Sequence, residues 1–132
     1  MATNLICILY IDDSPAQLEA VRAALPSEAY QVRTALTVHE ALEQLQDGAV
    51  DLVLIDYIMP NNSGAEVLKI LKQQKPSNPN TRFFLYTTDK AAHLDYQKLG
   101  FDGAFTLKGH SDSLLPQLTP LARFIKLRRM SR

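Results

Sequence analysis

Two kinds of hydrophobic spacing alternate along this chain. Continuous apolar runs such as Leu5-Ile6-Cys7-Ile8-Leu9-Tyr10-Ile11 are followed by stretches in which apolar residues recur every three or four positions, as at Leu18, Val21 and Leu25. The first kind reads as buried strand and the second as amphipathic helix. Strands are predicted at 5–11, 30–35, 52–55, 83–86 and 104–107, and helices at 14–25, from 38 to the stop at Gly48, from 63 onward, and at 91–99.

The helix starts carry their own signals. Ser14 with Pro15 and Gln17, Thr37 with Glu40, and Ser63 with Glu66 each fit a cap followed three residues later by Glu or Gln. In that pattern two orphan amide donors are satisfied at once. The last segment is harder, because Pro116 and Pro120 both fall within it. An interior proline costs a helix about 3 kcal/mol. An irregular stretch is therefore expected through 111–118. A helix would then start at Thr119 and Pro120, turning Leu121, Phe124 and Ile125 inward. Five strands alternating with five helices predict an α/β fold, a doubly wound, five-stranded parallel sheet.

Composition narrows the picture. At 132 residues the chain is read as one domain over its whole length, with no second domain. Fourteen basic residues balance fourteen acidic ones, so nucleic acid is not an expected partner. The basic tail, Lys126, Arg128, Arg129 and Arg132, is read as an offset to a helix dipole. The lone Cys7 has no partner for an internal disulfide and reads as a small buried hydrophobe. No segment resembles a signal peptide or a membrane span, and a cytoplasmic protein without a membrane partner is expected. His39, His93 and His110 show no metal-ligand spacing.

The informative polar residues stand where apolar runs end. Asp12 and Asp13 close the first, Asp56 closes Asp51-Leu52-Val53-Leu54-Ile55, Thr87 closes the fourth strand and Lys108 the fifth. In a parallel α/β sheet the C-terminal strand ends share one edge, where such folds place their sites. Three carboxylates gathered there need a cation, and hard oxygen ligands suit Mg²⁺. The set fits phosphoryl chemistry, with Asp56 as carboxylate nucleophile. Mg²⁺ would be held by Asp12 or Asp13, Asp56 and a backbone carbonyl just beyond it. Lys108 would supply a second positive charge, and Thr87 a hydroxyl donor.

These residues lie in motifs: Ile11-Asp12-Asp13, Leu54-Ile55-Asp56-Tyr57-Ile58-Met59-Pro60 with Gly64, Tyr86-Thr87-Thr88, and Phe105-Thr106-Leu107-Lys108. In that order they resemble the receiver domain of a two-component response regulator in its stand-alone form. The resemblance implies the flavodoxin-like (βα)5 fold. It implies a histidine kinase or histidine phosphotransfer protein that donates a phosphoryl group to Asp56. Asp12, Asp13, Asp56 and the Ile58 carbonyl would hold Mg²⁺. It further implies a switch in which Thr87 moves toward the phosphoryl group and Phe105 rotates inward. Altered binding of a downstream protein, or relay of the phosphoryl group, would follow. Such a protein is not an enzyme in the turnover sense. Dimerisation through the last helix, near Phe124 and Ile125, is a further expectation.

The sequence departs from the family pattern in places. Gly109 stands where proline, with a cis bond before it, usually follows the lysine. A non-proline cis bond costs about 2.5–4 kcal/mol, so cis and trans both stay open at Lys108-Gly109. Phe105 lacks the hydroxyl of the tyrosine often found there, and the prolines of the last segment bear on the usual output surface. Ile58 cannot hydrogen-bond an attacking water, while Asp89 could either orient one or merely repel the phosphoryl oxygens, and slow to moderate loss of the phosphoryl group is expected. Two rival readings are a pseudo-receiver acting as a constitutive protein-binding module, and a small Mg²⁺-dependent aspartyl phosphatase. The second would want an Asp-x-Asp loop that Asp12-Asp13-Ser14 does not match.

Overall fold

Strand residues of this chain divide by parity. The computed structural model describes residues 5–74, 77–106, 108 and 110–130. Its strands are β1 (Ile6–Ile11), β2 (Tyr30–Ala35), β3 (Leu52–Ile55), β4 (Arg82–Tyr86) and β5 (Gly103–Phe105), in the parallel order β2-β1-β3-β4-β5. Between them run α1 (Pro15–Ala24), α2 (Val38–Gln44), α3 (Gly64–Gln73) and α4 (Lys90–Leu94). A 3₁₀ turn at Ser111–Ser113 then leads into α5 (Leu114–Met130). Successive side chains of a strand face opposite ways. Cys7, Leu9, Ile11, Val53, Ile55, Phe83 and Leu85 accordingly pack with residues of α2, α3 and α4. Ile6, Ile8, Tyr10, Leu52, Leu54 and Tyr86 pack with Leu18 and Val21 of α1 and with Leu114, Leu118, Ala122 and Ile125 of α5. Burial on both faces is why β1 and β3 read as unbroken apolar runs.

Three predicted caps form, with different completeness. Ser63 Oγ accepts the Glu66 N–H at 3.2 Å while Glu66 accepts the Ser63 N–H at 3.3 Å, a reciprocal box. Ser14 accepts the Gln17 N–H at 3.3 Å. Thr37 accepts the Glu40 N–H at 3.1 Å, but the Glu40 carboxylate reaches past the cap to the Leu36 N–H.

Three expectations need correction. The fourth helix ends at Leu94 rather than Leu99. The Asp95 N–H is shared between the carbonyls of Ala91 and Ala92, at 3.1 and 3.2 Å, which tightens the chain into turns as far as Gly100. β5 begins at Gly103 and ends at Phe105, because the backbone of Thr106 is taken up elsewhere. Gln117 of α5 accepts its N–H at 2.9 Å and donates to its carbonyl at 3.0 Å.

The largest difference is α5, which is continuous through both prolines. Pro116 falls in the first turn, where an N–H has no intrahelical partner in any case. Pro120 lies in the interior with its ring exposed, and the neighbouring Thr119 hydroxyl donates to the Leu115 carbonyl at 2.8 Å. Burial of Leu114, Leu118, Ala122 and Ile125 outweighs the lost backbone bond. Leu121 is only partly buried, and Phe124 lies outside, 45% exposed under the Arg82 guanidinium at 4.8 Å.

The tail also does more than offset a dipole. Arg129 donates to the Leu5 carbonyl at 3.1 Å and to Asp51 Oδ2 at 2.5 Å, and Asp51 accepts the Cys7 N–H at 2.9 Å. Arg128 reaches Asn80, whereas Arg132 lies outside the described residues. No helix is long and apolar enough to cross a membrane among the described residues.

Candidate functional site

The register of the central strands brings the acids together. Ile11 pairs with Ile55, and the Asp56 N–H donates to the Ile11 carbonyl at 3.1 Å, so Asp12 and Asp56 leave the sheet side by side. Asp12, Asp13 and Asp56 each offer a carboxylate oxygen within 4.8 Å of the others; Asp12 and Asp56 are buried and Asp13 is exposed. Lys108, which follows β5, places its Nζ 2.8 Å from Asp12 Oδ2 and 3.0 Å from Asp56 Oδ1. Three carboxylates against one ammonium leave two negative charges in a small space. A small divalent cation with oxygen ligands and water fits that donor set.

The carboxylates differ in electrostatics. Burial pushes the Asp12 carboxyl upward, but hydrogen bonds from Lys108, Tyr10 and Ser14, with the Lys108 charge, outweigh it and hold it below the usual range. Burial dominates at Asp56 and raises it, opposed by Lys108 and reinforced by the Asp12 charge, with a backbone hydrogen bond from Ile58 lowering it. The phosphoryl-accepting role expected of Asp56 suits the more basic carboxylate, since basicity favours nucleophilic attack.

Thr87 is buried, and its Oγ1 accepts the Asp89 N–H at 3.1 Å, whereas Thr88 is exposed. Asp89 is committed to α4, where its Oδ1 accepts the Ala92 N–H at 2.9 Å. Ile58 projects outward, 60% exposed. Phe105 is already inside, 5% exposed, with its ring 4.9 Å from that of Phe84. Tyr86 is wholly buried, and Tyr96 is partly buried. The Lys108-Gly109 bond and Leu107 involve positions outside the described residues. Among the described residues no histidine joins a metal-ligating group.

Gly64 shapes the loop after Asp56. A Cβ there would sit 2.5 Å from the Asp56 carbonyl oxygen and 2.8 Å from the Tyr57 Cα, and the Gly64 N–H donates to the Tyr57 carbonyl at 2.7 Å. Only glycine allows that approach.

One participant went unread in the sequence. The Tyr10 hydroxyl donates to Asp12 Oδ2 at 2.5 Å. Tyr10 belongs to an apolar run, and its sequence signal is only the two-residue spacing that puts residues 10 and 12 on one face of a strand.

A parallel sheet in the order β2-β1-β3-β4-β5, with acids on the ends of its two central strands and a lysine after β5, is the receiver class of α/β protein. The sequence model of the response regulator receiver domain matches residues 8–116, and the chain belongs to that family. Receiver domains are regulators in two-component systems rather than enzymes in the turnover sense.

The chain is 33% identical over 115 residues to the transcriptional regulatory protein DltR of Streptococcus agalactiae, covering 84% of this chain and 49% of that protein. It is 36% identical over 97 residues to a probable cyclic di-GMP phosphodiesterase of Vibrio cholerae, covering 72% and 21%. The chain thus spans about half, or less, of the length of these curated relatives.

Among solved structures it is similar to the response regulator TrrA of Thermotoga maritima in complex with Mg(2+)-BeF. The TM-score is 0.72 and the identity 28%, covering 89% of this chain and 99% of that one. It is also similar to the chemotaxis protein CheY4 of Vibrio cholerae, with a TM-score of 0.73 and 25% identity over 88% and 98%.

Proposed function

We propose that Asp56 accepts a phosphoryl group from a histidine kinase or histidine phosphotransfer protein, and that this changes the affinity of the domain for a protein partner. The observation that carries the reading is the Lys108 ammonium lying between Asp12 and Asp56, with Asp13 open to solvent beside them. An Asp56 oxygen attacks phosphorus, the new O–P bond forms, and the bond from phosphorus to the donor nitrogen breaks with its electron pair leaving on that nitrogen. Asp12, Asp13, Asp56 and the Ile58 carbonyl would hold Mg²⁺, which when bound neutralises charge on the phosphoryl oxygens. Lys108 neutralises further charge on the phosphoryl group, and the Thr87 hydroxyl turns from the Asp89 N–H to donate to a phosphoryl oxygen. Phe105 is already inside against Phe84, so the movement of Thr87 needs no inward rotation from it.

The test is phosphorylation by acetyl phosphate or phosphoramidate, with and without Mg²⁺, read by intact mass. One added phosphoryl group is expected, dependent on Mg²⁺ and absent in Asp56→Asn. Wild type that is folded yet gains nothing would overturn the reading in favour of a constitutive binding module. A downstream protein, a cytoplasmic location and dimerisation through α5 belong to the same proposal. A mass in solution that stays monomeric with and without phosphorylation would remove the last.

A further inference from the structure

Gln117, in the first turn of α5, commits its whole hydrogen-bonding capacity to one segment of chain. Its Oε1 accepts the Thr106 N–H at 2.9 Å and the Thr106 hydroxyl at 3.0 Å. Its Nε2 donates to the Thr106 carbonyl at 3.0 Å and to the Ser113 carbonyl at 3.2 Å. A carboxamide has two acceptor positions and two donors, and all four are used. The backbone N–H can only donate and the two carbonyls only accept, so the partners themselves fix which end of the amide is which.

Thr106 and Ser113 bracket the segment that carries Lys108. The chain leaves β5 at Thr106, Lys108 follows two residues later, and Ser113 ends the 3₁₀ turn before α5. One side chain therefore joins both ends of that segment. The Ser113 N–H and hydroxyl also donate to the His110 carbonyl, at 2.9 and 2.7 Å, which ties the segment again from the same side. Lys108 needs such a frame, because its ammonium sits on a flexible four-carbon stem. It nevertheless meets two carboxylates at once, at 2.8 Å from Asp12 and 3.0 Å from Asp56.

We infer that Gln117 is a positioning residue for phosphoryl acceptance: by clasping Thr106 to Ser113 it sets where the Lys108 ammonium stands between Asp12 and Asp56. This rests on the reading of Lys108 as the ammonium that neutralises charge during transfer to Asp56. A misplacement of about 1 Å can lower a rate about 100-fold, so a side chain that touches no reacting atom can still govern the reaction.

Gln117→Met keeps the length of the side chain and removes all four bonds. Acylation of lysines by acetic anhydride, mapped by mass spectrometry, reads the effect without metal or phosphoryl chemistry. Lys108 should react about tenfold faster than in wild type, while the exposed Lys90 keeps its rate. Phosphorylation by saturating phosphoramidate with Mg²⁺ should slow by about tenfold or more. In a Lys108→Ala background Gln117→Met should slow it no further, whereas a merely structural loss would add to that of Lys108→Ala. Arg129→Ala, which loosens the far end of α5 without touching Thr106 or Ser113, should leave Lys108 acylation at the wild-type rate.

Unchanged acylation of Lys108 in Gln117→Met overturns the inference. So does faster acylation without slower phosphorylation, or an additive loss in the double variant. Wild type that takes up no phosphoryl group refutes the phosphoryl reading itself, and the acylation rates then still decide whether Gln117 places Lys108. If Gln117→Met does not fold, Gln117→Glu takes its place with the same outcomes, since it keeps the two acceptor bonds and sets a carboxylate against both carbonyls.

Discussion

A single missing methyl group gives the Asp56 loop its shape. Gly64 lies against the Asp56 carbonyl oxygen and the Tyr57 Cα, both backbone atoms that cannot swing aside. Gly64→Ala should therefore displace the loop that carries Ile58 and move the start of α3. Overpacking of this kind costs about 1–3 kcal/mol, measurable as a fall in the urea midpoint. The acid cluster is the first place where the displacement should appear, as slower phosphorylation by a small-molecule donor. An unchanged midpoint and rate would show that the approach is less tight than the geometry states. Gly64 was legible in the sequence only as part of a family motif, while Asp12, Asp13, Asp56 and Lys108 were legible from strand-end placement alone. Tyr10 was not, because a tyrosine inside an apolar run looks the same whether its hydroxyl faces a carboxylate or a cavity. Asp51 and Arg129 were hidden by distance along the chain, since 78 residues separate them.

The elements show what local signals decide and what they leave to packing. Strands β1 to β4 and the starts of α1 to α3 follow from apolar runs and caps, and the structure places them within a residue of expectation. The continuity of α5 does not follow, because proline propensity argues against it and four buried side chains override it. Pro120→Ala restores an interior N–H at an exposed position. It should stabilise the domain by about 2 kcal/mol, the helix penalty of about 3 less the chain-entropy benefit of proline in the unfolded state. A urea midpoint no higher than wild type would mean that Thr119 and the packing already compensate in full.

The join of β2 to α2 supplies a pH effect. Arg33 donates to Asp47 at 2.8 and 3.1 Å and to the Gln44 carbonyl at 2.8 Å, and these contacts, with the Ala49 N–H, hold the Asp47 carboxyl below its usual range. A depressed carboxyl pKa contributes stability that is present above the unfolded value of about 3.9 and lost as pH falls through the folded value. Wild type should thus exceed Asp47→Asn in stability near neutrality, by a small margin because the pair is exposed, and the two should converge in acid. Parallel urea curves at both extremes would contradict this.

At the scale of the whole molecule, strand order is what makes a site out of separate acids. Because β1 and β3 are neighbours, residues 44 apart in sequence leave the sheet together. The opposite edge of the sheet is tied by Arg129, which closes the far end of α5 onto Asp51 and Leu5. Arg129→Ala would leave the buried Asp51 carboxylate with the Cys7 N–H alone among its present donors. Leaving a buried acceptor short of its partner costs about 1–3 kcal/mol. Thermal unfolding should register that loss while the proposed phosphorylation of Asp56 is unaffected, and a variant as stable as wild type would show that water replaces the guanidinium.

That tie has a mechanical consequence when set beside Gln117, which grips Thr106 at the other end of the same helix. The two fastenings are 12 residues apart, about 18 Å of helix. A rod held at both ends does not slide when one end is pushed; it swings about the other. A displacement of about 1 Å where β5 ends would therefore reach the outer surface of α5 as a tilt of about 3°, with Arg129 as the pivot.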